Sequence, residues 1–170
     1  MTDAKITITV DGKTAEVARD TTILDAAKEA GVFIPSMCSH PMVEPYGACR
    51  ICTVQIEERG KTKMVTACNY PVRGEMTVHT DNEPVRKLRG QLLEMMLARW
   101  PEVPMVKGLA KRHGITEARF EHPQRDEDPK ACILCGLCAR ACTEAVWEDI
   151  IGFAGRGPTR SIGMPFDAHY

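Results

Sequence analysis

Residues 38–68 read CSHPMVEPYGACRICTVQIEERGKTKMVTAC, which sets Cys38, Cys49, Cys52 and Cys68 in a C-x10-C-x2-C-x15-C pattern. One long gap, one tight pair and one distant return let four thiols enclose a metal centre from several sides. The tight pair alone would span only adjacent corners. A second run, residues 132–142, reads CILCGLCARAC and places Cys132, Cys135, Cys138 and Cys142 at C-x2-C-x2-C-x3-C, the spacing that wraps a [4Fe–4S] cube. The first set is read as a [2Fe–2S] site. Structural zinc is the competing assignment, because four-cysteine zinc sites are also closed and tetrahedral. Zinc ribbons, however, present two facing C-x2-C knuckles, and the first set has a single one.

Composition narrows the alternatives. The chain has 170 residues, 44% of them hydrophobic, and a formal net charge of −1, which suits one or two packed domains and leaves neither a basic nucleic-acid footprint nor an acidic tail. The start, MTDAKITITVDGK, has no apolar core followed by a small-residue cleavage site, and no run of about 18 apolar residues occurs. No targeting segment and no membrane span are therefore expected. Eight cysteines without a secretory signal point to a reducing, cytoplasmic setting in which thiols serve metals rather than disulfides.

Upstream of the cysteines, ITITV at residues 6–10 alternates like a half-buried strand, Asp11-Gly12 supplies a hairpin turn, and TAEVA at 14–18 returns as its partner. Asp20-Thr21-Thr22 then precedes ILDAAKEAG, whose Ile23, Ala26, Ala27 and Ala30 fall at helical spacing, with Gly31 at the C-cap. After Cys52, TVQIEE, GKTKMVTAC and EMTVHT are three further strand candidates, with a turn at Arg73-Gly74. This order places Cys49 and Cys52 at the end of a loop locked onto a sheet and Cys68 at the far edge of that sheet.

The strand-hairpin-helix entry, the C-x10-C-x2-C spacing and the words CSHP, YGACRIC and TACNYPV resemble a ferredoxin-type [2Fe–2S] domain. It is shared by the large iron–sulfur subunit of respiratory complex I, the diaphorase small subunits of soluble hydrogenases and the N-terminal part of iron-only hydrogenases. The resemblance implies an α+β chain: a β-grasp [2Fe–2S] ferredoxin domain, then a small, mostly helical [4Fe–4S] domain. It also implies that Cys38, Cys49, Cys52 and Cys68 are the [2Fe–2S] ligands. Gly47, Ala48 and Arg50 match the family loop, where small residues would admit backbone N–H groups close to sulfide and tune the potential. The gap of ten departs from the plant-type gap of four.

Beyond the sheet, residues 84–99 carry Val85, Leu88, Leu92, Met95, Met96 and Arg99 in helical order, opened by Asp81-Asn82 and stopped by Pro101, and a second helix is predicted at about 103–113. The Met pair is read as core packing. In the resembling families this part usually holds a third cluster on a His-Pro pair and three cysteines. Here Trp100-Pro101 stands in that place and no cysteine lies between Cys68 and Cys132, so a third cluster is not expected. Residues 120–130 read as a polar surface linker with an exposed His122. His40 is placed either to donate to the cluster or to pack structurally, and His79, His113 and His169 have no partner legible in the sequence.

In the second run, Gly136 permits close backbone approach to sulfide, and Cys142 follows Cys138 by one helical turn. In two-cluster ferredoxins the fourth cysteine of such a run ligates the other cube, and no reciprocating second run is present in this sequence. Three readings stay open: Cys142 completes one cube, which strains the helix between Cys138 and Cys142; a partner or non-cysteine atom supplies the fourth ligand; or the sequence is a fragment. CILCGLCARAC, IGFAGRG and MPF are similar to the segment before the second run in iron-only hydrogenases. Gly155-Arg156-Gly157 lacks the context of a nucleotide loop and is read as a turn.

No Ser/His/Asp arrangement, carboxylate pair or nucleotide fingerprint is found. The expectation is an electron-transfer subunit of a cytoplasmic oxidoreductase with three parts: a [2Fe–2S] domain at 1–80, a helical connector at 81–125 and a [4Fe–4S] segment at 126–170. By the resemblance, its partners are a flavin- and NAD(H)-binding subunit and a catalytic subunit. The alternatives are a free low-potential ferredoxin, against which the small net charge weighs, and a zinc-stabilised adaptor.

Overall fold

The computed structural model describes residues 5–164. His169 and most of the tail word MPF fall outside the described residues. The chain divides into two compact units, Met1–Met37 with Cys49–Arg89 and Cys38–Ala48 with Gly90–Tyr170.

The first unit is a five-stranded mixed sheet with one helix. Strands β1 (Ile6–Val10) and β2 (Lys13–Val17) form the expected hairpin. Its turn residues Asp11 and Gly12 have φ of 48° and 82°, the doubly left-handed geometry whose twist matches that of the flanking strands. Strands β3 (Thr53–Glu58) and β4 (Lys61–Thr66) repeat the device over Arg59 and Gly60, with φ of 51° and 73°. Strand β5 (Met76–His79) lies parallel to β1 and antiparallel to β3, giving the order β2-β1-β5-β3-β4.

Alternation puts Ile8, Val10, Val54, Ile56, Val65, Met76 and Val78 into a core shared with Ile23, Leu24, Ala26 and Ala27 of helix α1 (Ile23–Glu29). At about 25 cal/mol per Å² of apolar surface buried, each Val, Leu, Ile or Met among them contributes roughly 1.5–3 kcal/mol relative to exposure. Helix α1 starts where the Thr22 hydroxyl accepts the Asp25 N–H at 3.1 Å. It stops in a Schellman motif: Val32 N–H donates to Ala27 O, Gly31 N–H donates to Lys28 O, and Gly31 sits at φ 67°.

Helix α2 (Glu83–Arg99) is opened by Asn82, whose side-chain oxygen accepts the Val85 N–H. Its buried stripe differs from the expected one. Val85, Arg89, Leu93 and Leu97 are buried at four-residue spacing, while Met95 is 57% exposed and does not pack in the core. The apolar pattern alone is misleading because a charged residue occupies one position of the stripe.

In the second unit, helix α3 (Pro104–Arg112) matches the predicted second helix. Residues 120–130 form an irregular and mostly exposed stretch. The final portion holds helix α4 (Leu137–Ala141), a π-helical turn (Cys142–Val146) and a two-stranded sheet of β6 (Gly152–Ala154) and β7 (Ser161–Gly163). That sheet was not foreseen where a mostly helical segment is expected. Gly155-Arg156-Gly157 is part of its connection, a turn as read. No helix among the described residues is long and apolar enough to cross a membrane.

Candidate metal centres

The end of the β3–β4 hairpin gathers three cysteines of the first set. Thr53 pairs with Thr66, and one step further the Ala67 N–H donates to Cys52 O at 3.1 Å. Cys52 and Cys68 therefore leave the sheet at the same end, both buried, with half-buried Cys49 three residues before Cys52. Arg50, between the paired cysteines, adopts φ 61°, a left-handed conformation unusual for a residue with a Cβ. Its carbonyl accepts both the Thr53 N–H and the Thr53 hydroxyl, the latter at 2.6 Å. These bonds fix the short turn that carries the pair.

A buried cation braces this turn from α2. Arg89 is 3% exposed. It donates from Nε to Ile51 O at 3.0 Å and from Nη2 to Thr53 O at 2.9 Å and Thr80 O at 3.2 Å. Ile51 and Thr53 flank Cys52, so the guanidinium ties the main chain on both sides of that thiol. Burial pulls the Arg89 pKa below its ordinary value, and the negative charges of Asp81, Cys52 and Asp11 oppose that pull. Sequence reasoning missed Arg89; the signal was a lone arginine at four-residue spacing between Val85 and Leu93.

Cys38 opens the Cys38–Ala48 segment of the second unit and is buried. Gly47 is buried at φ 70°, and Ala48 is exposed. His40 is exposed and its Nδ1 accepts the Met42 N–H at 3.2 Å, a local turn contact. His79 gains a partner in Glu57, at 3.1 Å across the β3–β5 pair, and His122 Nδ1 accepts the Gln124 N–H.

The second run begins in a loop and ends in helix. Cys132 and Cys138 are exposed, Cys135 is half-buried and Cys142 is buried. Left-handed backbone at Leu134 (φ 56°) and Gly136 (φ 76°) brackets Cys135. Such turns direct successive N–H groups into a concavity suited to anions, including cluster sulfide. The side of Gly136 where a Cβ would stand is occupied by Phe153, whose Cζ would lie 2.8 Å from it. Glycine is thus required by the β6 ring as well as by φ. Helicity changes from α to π at Cys142, an irregularity of the kind found at functional sites.

All eight cysteines are free of disulfides. Among the described residues, no group of three or more His, Cys, Asp or Glu side chains is placed to hold a single metal ion. The donors are soft thiols, with left-handed backbone beside Cys49 and Cys135, a chemistry that fits iron–sulfur clusters. Trp100 is buried under the Arg99 guanidinium, which lies 4.8 Å from its ring. Leu97, Pro101, Lys107, Arg119, Phe120 and Arg125 line part of a cleft of about 760 Å³, whose described lining contains neither Cys nor His.

Residues 3–83 match the family described as a 2Fe-2S iron-sulfur cluster binding domain. A chain of a NAD+-reducing [NiFe]-hydrogenase crystal structure superposes with a TM-score of 0.75 at 31% identity, covering 94% of this chain and 75% of that one. The chain belongs to this family of iron–sulfur subunits. Further members include the NADPH-Fe(3+) oxidoreductase subunit alpha of Geobacter sulfurreducens, 36% identical over 97% of this chain and 22% of that protein. The mitochondrial NADH-ubiquinone oxidoreductase 78 kDa subunit of Candida albicans is 31% identical over 94% of this chain and 25% of that protein. The chain thus spans a quarter or less of the length of these curated relatives.

Proposed function

We propose that this chain is the electron-relaying iron–sulfur portion of a cytoplasmic NAD(P)-linked oxidoreductase. Cys38, Cys49, Cys52 and Cys68 hold a [2Fe–2S] cluster in a β-grasp domain, and Cys132, Cys135, Cys138 and Cys142 hold a [4Fe–4S] cluster. Support for the first site comes from the end of the β3–β4 hairpin, where Cys49, Cys52 and Cys68 leave the sheet together. Support for Cys142 comes from its place one turn after Cys138 on the same helical run, where it is buried. When bound, such clusters supply one-electron redox chemistry at thiolate-held iron.

The chain's own residues supply rigidity and shielding. Arg89 and the Arg50 carbonyl hold the Cys52 turn, and the sheet core excludes water from Cys52 and Cys68; Gly47, Ala48, Arg50 and Gly136 would let backbone N–H groups approach cluster sulfur. The proposed partners are a flavin- and NAD(H)-binding subunit and a catalytic subunit, in keeping with the pyridine-nucleotide oxidoreductases among the relatives. The three functional parts are residues 1–80, 81–125 and 126–170.

Anaerobic iron, sulfide and zinc analysis, with electron paramagnetic resonance of the dithionite-reduced protein, tests the assignment. About six irons per chain and two distinguishable reduced signals are expected for one cluster of each type. Cys49→Ser should remove the [2Fe–2S] signal and spare the other, whereas Cys142→Ser should remove the [4Fe–4S] signal and spare the first. Zinc in place of iron overturns the proposal.

A further inference from the structure

The Arg140 guanidinium joins two stretches 102 residues apart in sequence. Nη1 donates to Cys38 O at 3.0 Å, Nη2 donates to Glu44 O, and Nε donates to Glu144 Oε1 at 3.3 Å. The Tyr46 ring stacks against the same guanidinium, with the cation 5.1 Å from its centroid. Glu144, one helical turn on, accepts the Glu44 N–H at 2.6 Å through its other carboxylate oxygen. Both main-chain groups of Glu44 are therefore taken up by one Arg–Glu pair.

An i,i+4 pair on an open helix surface contributes only about 0.3–0.5 kcal/mol. This pair is not open: the Arg140 side chain is 12% exposed and the Glu144 side chain 29%. Segment Cys38–Ala48 contains neither helix nor strand, and its own main chain offers one turn bond, from Val43 N–H to His40 O. Arg140 and Glu144 tether it at Cys38 and Glu44 within the second unit. Helix α4, in turn, is five residues long, too short to persist without anchors. It continues into the π turn to Val146, and the cysteines two residues to either side of Arg140 would anchor it further when they hold iron.

We propose that Arg140 and Glu144 form a latch by which occupancy of the Cys132–Cys142 run orders the Cys38–Ala48 segment, and through Cys38 sets the properties of the [2Fe–2S] centre. This rests on the ligand assignment proposed above. Arg140 is a positioning residue. With the run loaded, α4 is fixed and presents its guanidinium to Cys38 O and Glu44 O. With the run empty, α4 frays and the segment loosens. Linkage makes the effect reciprocal, so ordering of the segment favours loading of the run. A cation on the carbonyl of a ligand residue also favours the more negative, reduced centre.

The test uses the full chain, reconstituted anaerobically, with hydrogen–deuterium exchange over residues 38–48 and the midpoint potential of the [2Fe–2S] resonance as readouts. In Arg140→Gln, exchange across 38–48 is expected to rise at least tenfold. The midpoint should move to more negative potential, with a several-fold lower reduced-to-oxidised ratio at fixed potential; tenfold would be 59 mV for one electron. Cys135→Ser should raise exchange in the same segment, and combining the two should add nothing beyond the larger single effect. Arg140→Lys should restore part of the protection. If Arg140→Gln does not load iron, Glu144→Ala replaces it, with faster exchange expected at residues 43–46.

Unchanged exchange and potential in a loaded Arg140→Gln, unchanged exchange in Glu144→Ala, or full protection of 38–48 in Cys135→Ser overturns the latch. Iron analysis of the unmodified protein separates the two claims. Two clusters with an unresponsive segment refute the latch alone, whereas absence of the cube refutes the ligand assignment and the latch with it.

Discussion

Replacing Arg89 with Met keeps the length and apolar stem of a side chain that is 3% exposed, and removes the charge and three hydrogen bonds to Ile51 O, Thr53 O and Thr80 O. Each carbonyl stripped of a buried donor costs about 1–3 kcal/mol. Against that stands the desolvation of a buried guanidinium, several kcal/mol, which the substitution relieves. The carbonyl losses exceed the relief because three acceptors are orphaned at once, leaving a net destabilisation of about 2–4 kcal/mol. At roughly 2–4 °C per kcal/mol for a chain of this size, Tm falls by about 5–15 °C.

The loss has a local signature as well. Two of the three carbonyls flank Cys52, so the cluster should be released faster under a chelator at temperatures where the fold persists. The assay is anaerobic thermal unfolding followed by circular dichroism, with visible absorbance reporting cluster loss in the same sample. Cluster binding is coupled to folding, so apo and loaded protein are compared separately. A Tm within 2 °C of the unmodified protein together with unchanged chelator kinetics would refute the claim that this cation holds the cysteine turn.

Two further outcomes are expected. The Arg119 side chain, followed by its backbone N–H, lowers the Glu94 carboxyl from 4.5 to about 2. Because the folded value lies below the unfolded one, the stabilisation is complete above about pH 4.5 and is lost as pH falls toward 2; Tm measured from pH 2 to 6 should show that slope, and Glu94→Gln should flatten it. Gly136→Ala places a Cβ 2.8 Å from Phe153 Cζ at φ 76°, so unfolding in urea should show a loss of about 1–3 kcal/mol. Phe153→Ala in the same chain should recover the steric part only, and a neutral Gly136→Ala would contradict the packing described.

Local rules made the first unit legible. Strands β1 and β5 alternate, the hairpins carry Asp11-Gly12 and Arg59-Gly60, and helix α1 has Thr22 before it and Gly31 after it. Each signal agrees with the tertiary structure, so boundaries fall within a residue or two. The cysteine runs stand out because their spacing can be read from the sequence itself. What could not be read depends on distant residues. Arg89 looks like a surface charge until three carbonyls from other segments surround it, and Met95 belongs to an apolar pattern that the helix does not bury. Arg140 reads as an ordinary helix charge until the Cys38–Ala48 segment returns to it from far upstream. The β6–β7 pair was hidden by brevity, since three-residue strands carry too little alternation to register.

Strand β5 has a consequence for biosynthesis. The β1–β2 and β3–β4 hairpins are sequence-local, and only β5, the last strand of the first unit to be made, joins them, through Ile8↔Met76 on one side and Ile56↔Val78 on the other. As the chain leaves the ribosome, Cys38, Cys49, Cys52 and Cys68 all emerge before the strand that closes the sheet, and long-range parallel pairing is slow to form. The thiols thus emerge around the β3–β4 hairpin and in the loop before it while the two hairpins are still unjoined. Arrival of residues 76–79 ends that interval by pairing with β1 on one side and β3 on the other. A defect in β5 would therefore leave the two hairpins separate although each is intact.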